Sequence, residues 1–286
     1  MRIDTSTSHV TEGHQDFPLL SSIAEFLISR LGTKQNLIDT VGAIIRASID
    51  SVVDTPRTSR RGLLDLEKTE KTYLGTRVEI LLRHELGVKK GRLDLVINEV
   101  DTDVKFTVRN NWMIPREAYG SPCILISADE LAGRFCLGLF VAHEQYLNQG
   151  KNQDKKKTIS KKLIANVYWI AANEPYPTRF WQGLDTRKIE AIFSAKSGVD
   201  RVVRLFDEIR NTPINRSVVA DVAQQADYMK RLRRNGGARD ALERKGVLLL
   251  SGRYDSREIS SRGLPTCDKD SFISTEEPRT DKGTLK

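Results

Sequence analysis

The chain has 286 residues, 39% of them hydrophobic, with 46 Lys plus Arg against 38 Asp plus Glu and a formal net charge of +8. That length favours two compact units, and the longest apolar runs, such as residues 247–250, fall far short of the roughly 20 residues of a membrane span. Residues 1–17 lack the apolar core of a secretory signal, so a basic cytoplasmic protein with no membrane partner is expected.

Residues 19–31 place Leu20, Ile23, Phe26, Leu27 and Leu31 at helical spacing, and residues 37–53 repeat the pattern with Ile38, Val41, Ile44, Ile45 and Ile49. Pro56 and Gly62 then interrupt it. A third helix is predicted from Thr69 to Leu86, with Gly87 free to take the left-handed capping conformation. Residues 92–98 and 103–108 switch to short β-branched strands joined by an acidic turn, which predicts a hairpin. Residues 122–127 and 134–141 are nearly continuous in apolar character, as central strands are. The first half therefore reads as helices around a small mixed sheet.

From Asn148 to Lys162 the chain is polar and lysine-rich, read as a solvated loop, and residues 173–178 contain two prolines that break regular structure. The expected division is a first domain over 1–172, a linker over 173–180 and a second domain over 181–286. In the second, residues 187–194 and 199–209 are amphipathic, and Asn215 or Ser217 caps a short helix ending at Ala223. Gly236 and Gly237 interrupt residues 227–246, and residues 247–251 read as a strand entering a β-wing closed by residues 263–265. The tail beyond Thr275 reads as frayed. Cys123, Cys136 and Cys267 have neither the spacing nor the paired histidines of a zinc site or a disulfide framework, and read as reduced thiols.

Chemistry concentrates at Glu79, Asp94, Asp103 and Lys105. Hydrolysis of a phosphodiester calls for an oxygen-ligated divalent metal and a positive group beside the attacking water or the phosphate. Asp103 and Lys105 are two apart on a strand and share a face, with Val104 turned to the other side. Asp94, on the neighbouring strand, can share a metal with Asp103, and Glu79 approaches from the preceding helix to complete the shell or orient a water. Lys105 lies within an apolar strand, where an unpaired ammonium is costly. The bland alternative is a surface hairpin with ordinary charges.

The run from Leu66 to Glu79 (LEKTEKTYLGTRVE), then Arg92–Asp94 (RLD), Asp103–Phe106 (DVKF) and Trp112–Pro115 (WMIP), resembles the NaeI-type restriction endonucleases, whose nuclease core is related to the mismatch-repair nuclease MutH. Residues 224–234 (QQADYMKRLRR) and 237–240 (GARD) are similar to that family's second domain. The resemblance implies an α+β chain: a restriction-endonuclease-like, MutH-like mixed sheet with flanking helices, followed by a mainly helical winged helix-turn-helix domain. It implies a Mg²⁺-dependent type II enzyme that cuts double-stranded DNA at a short palindrome and leaves 5′-phosphate ends. It implies a homodimer, a second DNA copy held at the C-terminal domain as activator, and a cognate DNA methyltransferase in the same restriction-modification system. The catalytic set carries over to Glu79, Asp94, Asp103 and Lys105, with Glu70 and Glu85 as alternative helix carboxylates.

The second domain carries its own signal. Lys230, Arg231, Arg233, Arg234, Arg239, Arg244 and Lys245 crowd one segment, against Asp240 and Glu243. That density fits phosphates, and its arginines fit guanine edges. His84 and His143 have no partner spacing and read as structural or surface residues; Trp112, Trp169 and Trp181 read as packing residues. Arg109, Asn110 and Asn111 are candidates for base contacts. Two rival functions are a MutH-like repair nickase and a non-catalytic winged-helix transcriptional regulator, the latter leaving the carboxylate-lysine set unused.

Overall fold

The computed structural model describes residues 8–58, 60, 62–150, 155–177, 180–181, 183–225 and 227–277. The chain divides into two compact units, Met1–Val53 with Arg61–Arg179, and Asp54–Arg60 with Phe180–Lys286. Helices α1 (Phe17–Leu31) and α2 (Lys34–Val53) open the first unit. The four-residue helix α3 (Thr55–Thr58) lies in the short excursion grouped with the second unit, and α4 (Lys68–Leu86) returns to the first. Among the described residues no helix is long and apolar enough to cross a membrane.

Each long helix buries one stripe. In α1 it is Leu20, Ile23, Ala24 and Leu27, the i, i+3, i+4, i+7 pattern of an amphipathic helix. In α4 it is Leu74, Val78, Leu82 and Leu86, one residue per turn. So narrow a stripe leaves Glu79 and Arg83, each next to a buried position, at the rim of the packed face. Glu70 closes a capping box by accepting the Glu67 N–H at 2.9 Å, and Gly87 ends the helix at φ +60° in the left-handed region that a glycine enters without cost.

The first unit is an α+β fold around a mixed five-stranded sheet. Its strands are β1 (Leu95–Ile97), β2 (Val100–Thr107), β4 (Pro122–Asp129), β5 (Arg134–Val141) and β7 (Tyr168–Pro175), in spatial order β1-β2-β4-β5-β7. The short strands β3 (Met113–Ile114) and β6 (Lys157–Thr158) pair separately. Only β2 and β4 run parallel in the main sheet. Residues Asn98 and Glu99 make the β1–β2 turn with φ of +47° and +63°, the doubly left-handed geometry of a tight hairpin. One sheet face packs Leu95, Ile97, Val104, Ile124 and Ile126 against the helices; the other builds a smaller core from Trp112, Ile114, Cys123, Leu125 and Phe140.

Three sequence expectations change here. The strand foreseen over 92–98 shortens to β1, because the Asp101 carboxylate takes the Arg92 and Leu93 N–H groups instead of the ladder. The proline segment does not break structure at Asn173: β7 continues through Pro175, at a sheet edge where a missing N–H is tolerated, and supplies a fifth strand that periodicity did not announce. Within the lysine-rich segment, residues 151–154 lie outside the described residues. Lys157 is 3% exposed, with Nζ 2.8 Å from Glu144 Oε1 and over the Tyr119 ring, so this lysine is not solvated.

In the second unit α5 (Thr186–Phe193) and α6 (Gly198–Glu208) precede β8 (Ile214–Asn215), α7 (Arg216–Ala223), a 3₁₀ turn over Tyr228–Leu232, α8 (Ala238–Glu243), β9 (Val247–Ser251), α9 (Ser256–Ser261) and β10 (Ser271–Glu276). Side chains of Asp185, Ser197 and Asn215 cap α5, α6 and α7. Strands β8, β10 and β9 form an antiparallel sheet in that order over a core that includes Val202, Phe206, Val219, Leu242 and Leu249. The wing expected to close at residues 263–265 is instead interrupted by α9, and the returning strand is β10, which reaches one residue past Thr275; residues 278–286 of the expected frayed tail lie outside the described residues. All three cysteines are free, with Cys123 and Cys136 buried.

Candidate active site

Strand β2 aims Asp103 and Lys105 at the face carrying Cys123 and Leu125, their register partners on β4, while Val104 packs toward the helices. Asp94 sits one residue before the first ladder pair, Leu95 with Thr102, which brings it beside Asp103. Its Oδ2 accepts the Val104 N–H at 2.8 Å. Lys105 Nζ lies 2.8 Å from the Asp103 carboxylate and 3.7 Å from Asp94 Oδ2, and donates to the Val104 carbonyl at 3.1 Å.

One ammonium therefore faces two carboxylates in a largely dry space. Burial pushes the Asp103 carboxyl up to about 7; Lys105 pulls it down less than burial raises it, and Asp94 adds repulsion. Burial alone would depress the Lys105 ammonium, but Asp103 and Asp94 outweigh it and hold it above its ordinary value. The Asp103 shift is chiefly the cost of burying its charge, whereas the Lys105 shift reflects two carboxylates facing one ammonium. The Cys123 thiol, 4.0 Å from Asp103 Oδ2, is kept protonated by burial.

Glu79 is raised by burial and by the charge of Asp94, against the pull of Arg83. Arg83 NH1 donates to Glu79 Oε1 at 2.9 Å and to the Asp94 carbonyl at 3.2 Å, fastening α4 to the start of the hairpin. Of the three helix glutamates considered from sequence, Glu79 is the one placed within the influence of Asp94; Glu70 serves the helix cap and Glu85 is exposed. The structure does not, however, bring Glu79 into one ligand group with the aspartates: among the described residues no three His, Cys, Asp or Glu side chains converge as a metal cluster. The convergent pair is Asp94 and Asp103. A hard divalent cation that keeps most of its waters needs only one or two carboxylates, and an all-oxygen pair short of positive charge fits it.

Sequence reasoning missed Arg83, whose part depends on an i, i+4 bond to Glu79 that no motif announces. Trp112 is buried and donates to the Ile126 carbonyl at 2.8 Å, so it packs. Asn111 ties the loop to Ile159 through its side-chain amide, whereas Arg109 and Asn110 are exposed. His143 Nε2 is 2.8 Å from Asp16, a structural pairing, and His84 is exposed.

In the second unit the basic residues separate into two kinds. Lys230, Arg233, Arg234, Arg244 and Lys245 are exposed, and Arg231 is partly so. Lys230 and Arg231 lie 3.6 and 3.2 Å from Asp227, Arg234 lies 3.6 Å from Glu243, and Lys245 lies 2.6 Å from Asp207. Arg239 instead turns inward and donates to the Leu249 carbonyl at 2.6 Å, locking α8 to β9.

The restriction endonuclease NaeI family matches residues 35–286. The chain is 33% identical over 260 residues to the type II restriction enzyme NaeI of Lentzea aerocolonigenes, covering 86% of this chain and 80% of that enzyme. These matches span both units, and they remove the reading of a non-catalytic transcriptional regulator. The chain belongs to the NaeI family of restriction endonucleases and is a site-specific deoxyribonuclease.

Proposed function

We propose that the first unit hydrolyses double-stranded DNA at a short palindrome with Mg²⁺, leaving 5′-phosphate ends. The observation that carries this is the convergence of Asp94, Asp103 and the Lys105 ammonium on one buried sheet face. Asp94 and Asp103 would hold the cation, which when bound stabilises charge developing on the scissile phosphate. Lys105 stays protonated and sets a fixed positive charge where that phosphate or the attacking water must sit. Glu79, kept at the rim by Arg83, orients a water; its raised affinity for protons suits it to accept one.

The second unit we read as a DNA-holding module of the winged-helix type. Its order of helix, strand, helix, turn, helix and two antiparallel strands joined through α9 supports this, as do the exposed Lys230, Arg233 and Arg234. A two-fold target calls for a homodimer, and a second DNA copy at this module would act as activator through a positive coupling free energy. A cytoplasmic restriction-modification system with its own methyltransferase is the matching setting.

Supercoiled plasmid carrying one target site tests the proposal. Mg²⁺ should give linear product, EDTA none, and a short site-bearing duplex added in trans should raise the rate. Nicked circles without linear product would favour a MutH-like nickase, and no stimulation by the duplex would remove the activator role.

A further inference from the structure

We propose that Asp101 is a positioning residue of the cleavage site: its carboxylate is the template on which residues 91–93 fold, and that fold sets Asp94 beside Asp103. The proposal rests on the reading of Asp94 and Asp103 as the cation-holding pair.

Asp101 lies on β2 opposite Val96. Its Oδ1 accepts the N–H of Arg92 at 2.8 Å and of Leu93 at 3.4 Å, two successive amides aimed at one oxygen. Such a pair of N–H groups is a small anion nest, and bonds to a charged acceptor are about twice as strong as neutral ones. The Arg92 side chain adds an ion pair, with Nε 3.9 Å from Oδ2. Gly91 completes the wrap: a Cβ there would collide with Asp101 Oδ1 and lie 2.6 Å from Val96 Cγ2, so only a residue without a side chain lets the loop close on the carboxylate.

Asp94 is thereby fixed from both sides. Asp101 holds the two residues before it, Arg83 holds its carbonyl, and Val104 receives its side chain. Asp101 thus acts through Asp94, and the sequence pattern Gly91-Arg-Leu-Asp94 followed by Asp101-x-Asp103-x-Lys105 is one mechanical unit. Losing this support should resemble loss of a residue that orients a ligand, about a ten- to hundredfold fall in activity.

The test compares D101A, D101N, G91A and D94A by plasmid cleavage, kcat and KM separately, and by amide hydrogen exchange of the metal-free proteins. D101A and G91A should lower kcat with KM for DNA unchanged, and should speed exchange at Arg92 and Leu93 while β4 and β5 stay protected. D101N, whose amide oxygen still accepts both bonds, should retain most of the activity. If D101A fails to fold, G91A carries the same expectation with Asp101 in place. Full activity in both D101A and G91A would overturn the proposal. So would a D101N enzyme as impaired as D94A with the loop still protected, because Asp101 would then act directly on the cation or water. Cleavage by D94A would instead sink the reading of the pair, while the exchange data would still report on the loop.

Discussion

Replacing Asp103 by asparagine in chelator-treated protein should alter stability in a way that depends on pH. In the fold this carboxyl titrates at about 7 against an ordinary 3.8. The native state therefore binds more protons than the unfolded state between those values, and stability falls as pH rises through that window. The contribution is complete below about pH 4, declines to about pH 7, and is flat above. Each unit is worth about 1.4 kcal/mol, so the two units between about pH 5 and 7 amount to about 3 kcal/mol. Asparagine does not titrate, and Lys105 keeps Asp94 as counter-ion at 3.7 Å. The variant should accordingly gain about 3 kcal/mol on the parent between about pH 5 and pH 8, whatever the fixed cost of the missing Lys105 bond. Urea unfolding in EDTA, read through Trp112 and Trp169 in a background with Trp181 replaced by Phe, measures it. A stability difference that stays constant with pH, or moves the other way, would refute the picture of an undercompensated buried pair. Mg²⁺ should restore the parent's stability at high pH and leave the variant nearly unchanged.

Lys105→Met should lower single-turnover cleavage by about a hundredfold or more while leaving DNA binding in place; equal loss of both would point to misfolding of β2. Arg83→Gln should reduce kcat by about tenfold through Glu79 and Asp94, seen as a changed Mg²⁺ requirement with little change in KM. Trp112→Ala removes a fully buried indole and its bond to Ile126, and should cost about 3–5 kcal/mol in urea unfolding of the first unit. The double variant R233A/R234A should weaken DNA binding and make it less salt-dependent, the slope falling by about one for every phosphate left without its arginine. Arg239→Ala should instead loosen α8 from β9, lowering stability and sparing the slope.

The parts of the fold legible from sequence are those set by local periodicity. Gly87 marked the end of α4, alternation along β2 put Asp103 and Lys105 on one face with Val104 opposite, and of the two caps offered for α7, Asn215 and Ser217, it is Asn215 that serves. What escaped depends on side chains bonding backbone or on position in a sheet. Nothing local marks Asp101 as acceptor for Arg92 and Leu93, so periodicity alone draws β1 too long. Asn173 at φ +59° and Pro175 look like breakers until their place on an edge strand is known. Arg239 looks like one more surface charge in the basic run, yet one of its guanidinium N–H groups ties α8 to the Leu249 carbonyl. The same limit applies to Glu79, which periodicity puts on a helix but which only packing sets beside Asp94.

The most direct measurement is cleavage of plasmid DNA in Mg²⁺ by the parent and by Asp103→Ala, with the ends of the products sequenced and DNA binding measured in Ca²⁺. Ends at one recurring sequence are expected for the parent, and full binding without cleavage for the variant. Cleavage by Asp103→Ala at the parent's rate, or parent ends scattered without a common sequence, would contradict that expectation.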